Sequence, residues 1–335
     1  MFNYAQWFLG GMSIALLVQL SQPVATAVSV DKGLQTAQTN SNDAAAKALV
    51  EGTQLYQQGT TEALRSALPK FEQALKLYRE AGARSEEAST LNWLGGIYSE
   101  LGEKQKALEY FSQSLPLFRA IGARSEEATT LLFTGIVCSD LGEKQKALEY
   151  FSQSLPLFRA IGARSEEATT LTNIGAVYSA LGEKQKALEY FSQSLPMYRA
   201  IGDRRGEGGT LTNIGSVYSD LGEKQKALEY FSQSLPVTRA VGDRIQEALT
   251  LANIASVKRV QGNLTEALTN IESSLKIIES LRTKIVSSEF RTSYFASVQN
   301  YYQFYIDLLM QLHKTDPNSG YDIKASEASE RARTR

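Results

Sequence analysis

Sixteen residues, LGEKQKALEYFSQSLP, occur word for word from Leu101, Leu141, Leu181 and Leu221, so the chain repeats itself with a period of 40 residues. A unit of that length is one supersecondary element, too small to bury an apolar face alone, and copies in series must therefore stack on one another. Within a period the apolar residues return at helical spacing in two stretches, for example Leu171, Ile174, Val177 and Tyr178, then Ala187, Leu188, Phe191 and Leu195. Each repeat is expected to be a pair of helices, and the fold class all-α.

The helix ends follow from local chemistry. The first helix of a pair is expected to begin at Ser165, and its equivalents at Ser85 and Ser125, where a hydroxyl can cap free amides ahead of two glutamates. It should stop near Leu181-Gly182, with the second helix running from about Lys184 to Ile201 and closing at Gly202. Pro116, Pro156, Pro196 and Pro236 fall inside the second helices. Each removes a backbone hydrogen bond, which predicts either a kink or a helix break with proline in a new first turn.

Four positions carry a resemblance to a known family. A small residue, a large one three places on, then a small and an aromatic residue on the second helix stand as Gly175, Tyr178, Ala187 and Phe191. They return as Gly95, Tyr98, Ala107 and Phe111, as Gly215, Tyr218, Ala227 and Phe231, and, with cysteine for tyrosine, as Gly135, Cys138, Ala147 and Phe151. The pattern resembles the tetratricopeptide repeat, in its longer subtype whose second helix ends in Gly-Asp-Arg or Gly-Ala-Arg; Arg84, Arg124, Arg164, Arg204 and Arg244 hold that place. Looser units lie around Ala67, Phe71 and Ala74 and around Ala255, Ala267 and Ile271. About six repeats over residues 42–282 are expected, and the resemblance implies a solenoid wound as a right-handed superhelix, closed by a C-terminal capping helix within 283–335.

The termini differ from the repeats. Residues 1–29 hold no charged side chain, Trp7 to Leu20 is predominantly apolar, and Ala25-Thr26-Ala27 has the small-residue spacing of a signal cleavage site. Residues 1–27 are read as a signal peptide, giving an exported protein, and 28–41 as a linker. The alternative is an uncleaved membrane anchor, since no Lys or Arg precedes the apolar stretch. At the other end Phe290, Tyr294, Tyr301, Tyr305 and Leu308 are spaced as on a helix. That stretch, with GYDIKASEASERAR, resembles the segment joining tetratricopeptide repeats to the caspase-like domain of bacterial CHAT proteins. In that family the catalytic histidine and cysteine lie beyond this point, so the chain is expected to be a shortened relative or a repeat module acting alone.

No catalytic constellation is found in the sequence. His313 and Cys138 are its sole histidine and cysteine, one read as a helix-end residue and the other as a small core residue, so neither a nucleophile pair nor a zinc site is expected. Gly95-Gly96 and Gly208-Gly209 lie in or at the start of helices and form no phosphate loop, and the chain is read as a non-enzyme without cofactor or metal. A net charge of −1 argues against nucleic acid as partner. The first helices remain, which in this family line a concave face. Asn173, Asn213 and Asn253 share one position there, and in the long-repeat subtype an asparagine at this place contacts the backbone of an extended peptide; an amide both donates and accepts. Trp93 and Phe133 hold the position in earlier repeats and are read as anchors for apolar side chains of the ligand. The expected function is protein or extended-peptide binding in that groove. A regulatory arm of a caspase-like peptidase is the alternative, and self-association through like surfaces is a third reading.

Overall fold

A computed structural model describes residues 32–282 and 288–333, with side chains from 41–281 and 299–333. The segment read as a signal peptide lies outside the described residues. Among the described residues there are fourteen helices and no strand, and they fall into two compact units divided between Ala163 and Arg164.

The first unit holds α1 (Lys32–Tyr56), α2 (Thr61–Ala81), α3 (Arg84–Glu100), α4 (Lys104–Ile121), α5 (Arg124–Asp140) and α6 (Lys144–Ile161). Helix α1 already runs from Lys32, so residues 32–41 are helix and not the linker that the sequence suggested. The second unit holds α7 (Arg164–Ala180), α8 (Lys184–Ile201), α9 (Arg204–Asp220), α10 (Lys224–Ala240), α11 (Arg244–Val260), α12 (Leu264–Arg282), α13 (Ser288–Thr315) and α14 (Tyr321–Arg333). The C-terminal element is thus a hairpin and not one capping helix. Leu308, Leu309 and Leu312 of α13 and Ala325 and Ala328 of α14 join the core of α11 and α12.

Within a repeat, one close approach sets the geometry. A Cβ placed on Gly215 of α9 would stand 2.6 Å from the ring of Phe231 on α10, and one on Gly175 of α7 would stand 2.7 Å from Phe191 on α8. Any side chain larger than hydrogen would push the ring away. Phe191 and Phe231 are at most 1% exposed, and burying each stabilises the hairpin by about 2–3 kcal/mol. The same contact joins Gly95 to Phe111 and Gly135 to Phe151 in the first unit.

The second helices run unbroken through their prolines, so the helix-break alternative does not hold. Pro116 and Pro196 lie on exposed faces, as do Ser112 and Ser192 four residues earlier. The carbonyls that lose a partner are thereby left to water. The expected serine caps also fail. Helices α3 and α5 start one residue earlier, at Arg84 and Arg124, and their cap residues Ala83 and Ala123 make no side-chain bond. Ser85 and Ser125 are already inside the helix, where their carbonyls accept from Ser89 and Thr129. A side-chain cap exists where aspartate replaces that alanine: Asp203 accepts from the Gly206 amide at 2.9 Å and Asp243 from the Gln246 amide at 3.1 Å.

Successive hairpins are joined by buried carboxylates. Glu207, 4% exposed, accepts from Arg199 Nε of the preceding second helix at 2.8 Å and from Arg204 Nη1 at 2.7 Å. Glu247 is held in the same way by Arg239 and Arg244. In the first unit Arg79 bonds Glu87 at 2.8 Å and Gln113 at 2.9 Å, and Arg119 bonds Glu127 and Gln153. The arginines Arg204 and Arg244 therefore serve as internal partners of glutamate. Burial works to raise the pKa of Glu207, but the bonds and charges of the two arginines outweigh it and hold the carboxyl below its ordinary 4.5. A depressed carboxylate contributes stability above its unfolded pKa and loses it as the pH falls through the folded one. Replacing Glu207 by Gln is expected to lower the melting temperature at pH 7 and to leave it little changed at pH 3. An equal loss at both pH values would show that charge is not what Glu207 contributes.

Candidate functional site

Helices α9 and α11 pack against the second helices on either side, and α7 packs against α8 and α9, so few of their side chains reach the surface. Those left at least partly open at helical spacing are Asn173, Ala176 and Ala180 on α7, Ser216 and Asp220 on α9, and Asn253, Ser256 and Val260 on α11. The stripe is made of small residues, amides, one carboxylate and, at its end, Val260, a surface suited to close approach by an extended backbone.

Its three asparagines are not equivalent. Asn173 and Asn253 are half-buried, while Asn213 is 4% exposed. Asn253 Nδ2 donates to Ser216 Oγ on α9 at 3.2 Å. The residue standing to Asn213 as Ser216 stands to Asn253 is Ala176, which has no hydroxyl, and Asn213 Nδ2 is left without a hydrogen-bond partner. A buried donor left unpaired costs roughly 1–3 kcal/mol. Below the stripe the hydroxyls bond one another: Thr212 Oγ1 lies 2.8 Å from both Ser234 Oγ and Thr250 Oγ1, and Ser234 donates to the Gly208 carbonyl at 2.9 Å. These threonines and serines are satisfied internally, so the unpaired amide stands out against a closed network.

In the first unit the equivalent positions are aromatic, and they are less open than expected. Trp93 is 6% exposed. Its ring meets Tyr56 edge-on at 5.3 Å and stacks on Phe71 at 5.6 Å, so the indole is a core side chain sealed by the end of α1 and not an open anchor. Tyr56 also donates to Glu100 Oε1 at 2.5 Å, and burial raises the pKa of that carboxyl. Phe133 is half-buried and stacks on Phe111 at 6.2 Å. Sequence reasoning passed over Asn92, one place before Trp93. It is 3% exposed, its Oδ1 accepts from Ser114 and Thr130 at 3.1 Å each, and its Nδ2 is unpaired. The signal for it lay in the polar residues Ser114 and Thr130 at fully buried positions.

Cys138 is 2% exposed, and burial raises its thiol pKa. His313 is in the last turn of α13, 28% exposed, with Nδ1 3.7 Å from Asp322 Oδ1, more covered than a free helix end. Among the described residues no three His, Cys, Asp or Glu side chains are grouped to hold a metal ion.

The tetratricopeptide-repeat family model matches residues 61–120, 86–160, 126–200 and 166–240, together more than half of the 335 residues. The chain belongs to the tetratricopeptide-repeat family. Solved structures of similar fold include aspartyl phosphate phosphatase F from Bacillus subtilis, 15% identical, covering 88% of this chain and 72% of that one with a TM-score of 0.66. The apo quorum sensor NprR from B. thuringiensis is 18% identical, with 84% and 79% covered and a TM-score of 0.58. NprR in complex with its cognate peptide NprX is 15% identical, with 91% and 83% covered and a TM-score of 0.56. The search of curated proteins gives no match. At such identities the likeness speaks for the fold.

The unpaired amide can be tested without any ligand. Ala176→Ser supplies the hydroxyl that Ser216 offers to Asn253, and is expected to stabilise the protein by about 1 kcal/mol, seen as a higher melting midpoint. No rise would mean that Asn213 Nδ2 does not lack a partner.

Proposed function

We propose that the chain is a non-catalytic scaffold that holds an extended peptide or an extended segment of a protein on the stripe formed by α7, α9 and α11. The observation that carries this reading is Asn213 Nδ2, a buried donor with no partner, in line with two half-buried asparagines on the neighbouring helices. The half-buried Asn173 and Asn253 offer amide atoms to a ligand backbone directly, Asn213 Nδ2 takes a ligand carbonyl once the strip above it opens, and small neighbours such as Ala176 and Ser216 leave room for a backbone to come near. Amides bond a backbone in either direction, so such a stripe accepts many sequences. The description of NprR with its cognate peptide agrees with peptide binding by a chain of this fold. We read the scaffold as exported, with cleavage after Ala27; no helix among the described residues is long and apolar enough to cross a membrane. An intact mass beginning at Val28 is expected for the protein recovered from its source cells, and a mass that includes Met1 would favour an anchor.

A second reading, the recognition arm of a CHAT-type peptidase, is favoured by the C-terminal hairpin. The segment that resembles the CHAT joint shares one core with α11 and α12, so a domain joined there would feel changes in the repeats.

The test for the scaffold is retention of synthetic 12-residue peptides from a random library by the full chain. Changing Asn173, Asn213 and Asn253 to Ala together removes three backbone bonds of about 1 kcal/mol each, and is expected to weaken retention about a hundredfold while the circular dichroism spectrum stays helical. Equal retention by the folded triple variant would overturn the asparagine mechanism.

A further inference from the structure

Every strict second helix in the chain begins with a lysine, and the lysines differ in what they hold. Lys104 at the start of α4 reaches across to the next first helix and bonds Asp140 Oδ2 at 2.7 Å. Lys184 at the start of α8 does the same with Asp220 on α9. Both lysine side chains are largely covered, 20% and 21% exposed. In each pair the carboxylate stands 36 residues after the lysine. The fold thus builds a carboxylate seat at the end of the first-helix stripe and twice fills it from its own sequence.

Lys144, at the start of α6, has Ala180 at that place in the sequence and donates instead to the Ser139 carbonyl at 2.7 Å, and the fourth lysine also lacks a carboxylate there. Lys224 begins α10, and the residue 36 places on is Val260, the last residue of α11. Val260 is 62% exposed, and Lys224 is half-buried with no acceptor paired to it among the described residues. The other charges nearby are already engaged. Glu223 pairs with Lys226, Asp220 with Lys184, and Lys258 with Glu266, while Arg259 donates to Gln311 and lies over the Phe304 ring. A half-buried lysine without a counterion attracts a carboxylate more strongly than a fully solvated one, because less water competes for it.

We propose that Lys224 is the anchor for a carboxylate of the bound segment, which takes the place that Asp140 and Asp220 fill for Lys104 and Lys184. The proposal rests on the peptide-binding reading and adds a chemical preference to it: a ligand acidic at the point where it passes the end of α11. Val260 lies on the same face as Asn253, about two helical turns further along. A segment whose backbone is held by the asparagines therefore passes close enough for an acidic side chain, or its own C-terminal carboxylate, to reach Lys224. The exposed Val260 methyls offer apolar contact to the stem of that side chain.

The experiment uses the full chain and an array of synthetic 12-residue peptides made as twins, Glu at one position in one member and Gln in the other. Wild type is expected to retain acidic twins about fivefold better, the effect of one modest ion pair. Lys224→Gln is expected to bring the ratio to about one. Val260→Asp, which copies the Asp220 arrangement and fills the seat internally, should do the same and raise the melting temperature, whereas Val260→Asn should keep the preference. Retention by wild type without acid preference, or a preference that survives in Lys224→Gln or Val260→Asp, would overturn the proposal and leave the groove reading standing. Retention of no peptide by wild type would remove both.

Discussion

The contact between a glycine of each first helix and a phenylalanine of its second helix governs the rest of the structure. It fixes how closely the two helices of a hairpin approach, and so which residues of the first helix are swallowed by its neighbours. With Gly215 pressed on Phe231, α9 sinks between second helices and keeps only a narrow strip in view. Small and polar residues on that strip follow from the crowding. The buried hydroxyls of Thr212, Ser234 and Thr250 occupy places where the helices come too near for larger side chains, and each hydroxyl finds another to bond. The arginine–glutamate links then hold one hairpin to the next with directional bonds that apolar burial alone does not supply.

Much of this was legible in the sequence because it is short-ranged and repeated. The spacing of Gly175, Tyr178, Ala187 and Phe191 carries the hairpin, and glycine at the end of a helical stretch carries its stop, as Gly202 does with φ 73°. Helix starts were harder to read. A serine beside two glutamates has the composition of a cap, yet Ser85 lies one residue inside the helix, and the residue at the cap position, alanine or aspartate, decides whether a side-chain bond forms. The C-terminal hairpin was half legible: its aromatics read as a helix, but α14 is short and polar, and it is tied to the core by Ala325 and Ala328 with Tyr321 and Ala332 at its ends.

The candidate site was legible in position and less so in environment. Asn173, Asn213 and Asn253 do occupy equivalent places, but whether an amide is bonded depends on a neighbour 37 residues earlier, serine for Asn253 and alanine for Asn213. The environment of Trp93 escapes the sequence for the same reason. Its exposure depends on Tyr56 at the end of α1, a helix outside the strict repeat, so nothing in the periodic pattern announces the lid. Burial at a repeated position is a property of the adjoining hairpin as much as of the residue.

Word-for-word copies have a cost during folding that the finished structure conceals. A second helix that carries KQKALEYFSQSLP meets first helices that differ little from its own, so a nascent chain that mispairs by one period loses few contacts and loops out a single hairpin. What penalises the slip is whatever is unique: Tyr56 seated on Trp93 at one end, and at the other the hairpin of α13 and α14 locked to α11 and α12. These unrepeated ends set the reading frame of the whole array, and their loss would be felt in the uniformity of the folded population before it was felt in its helix content.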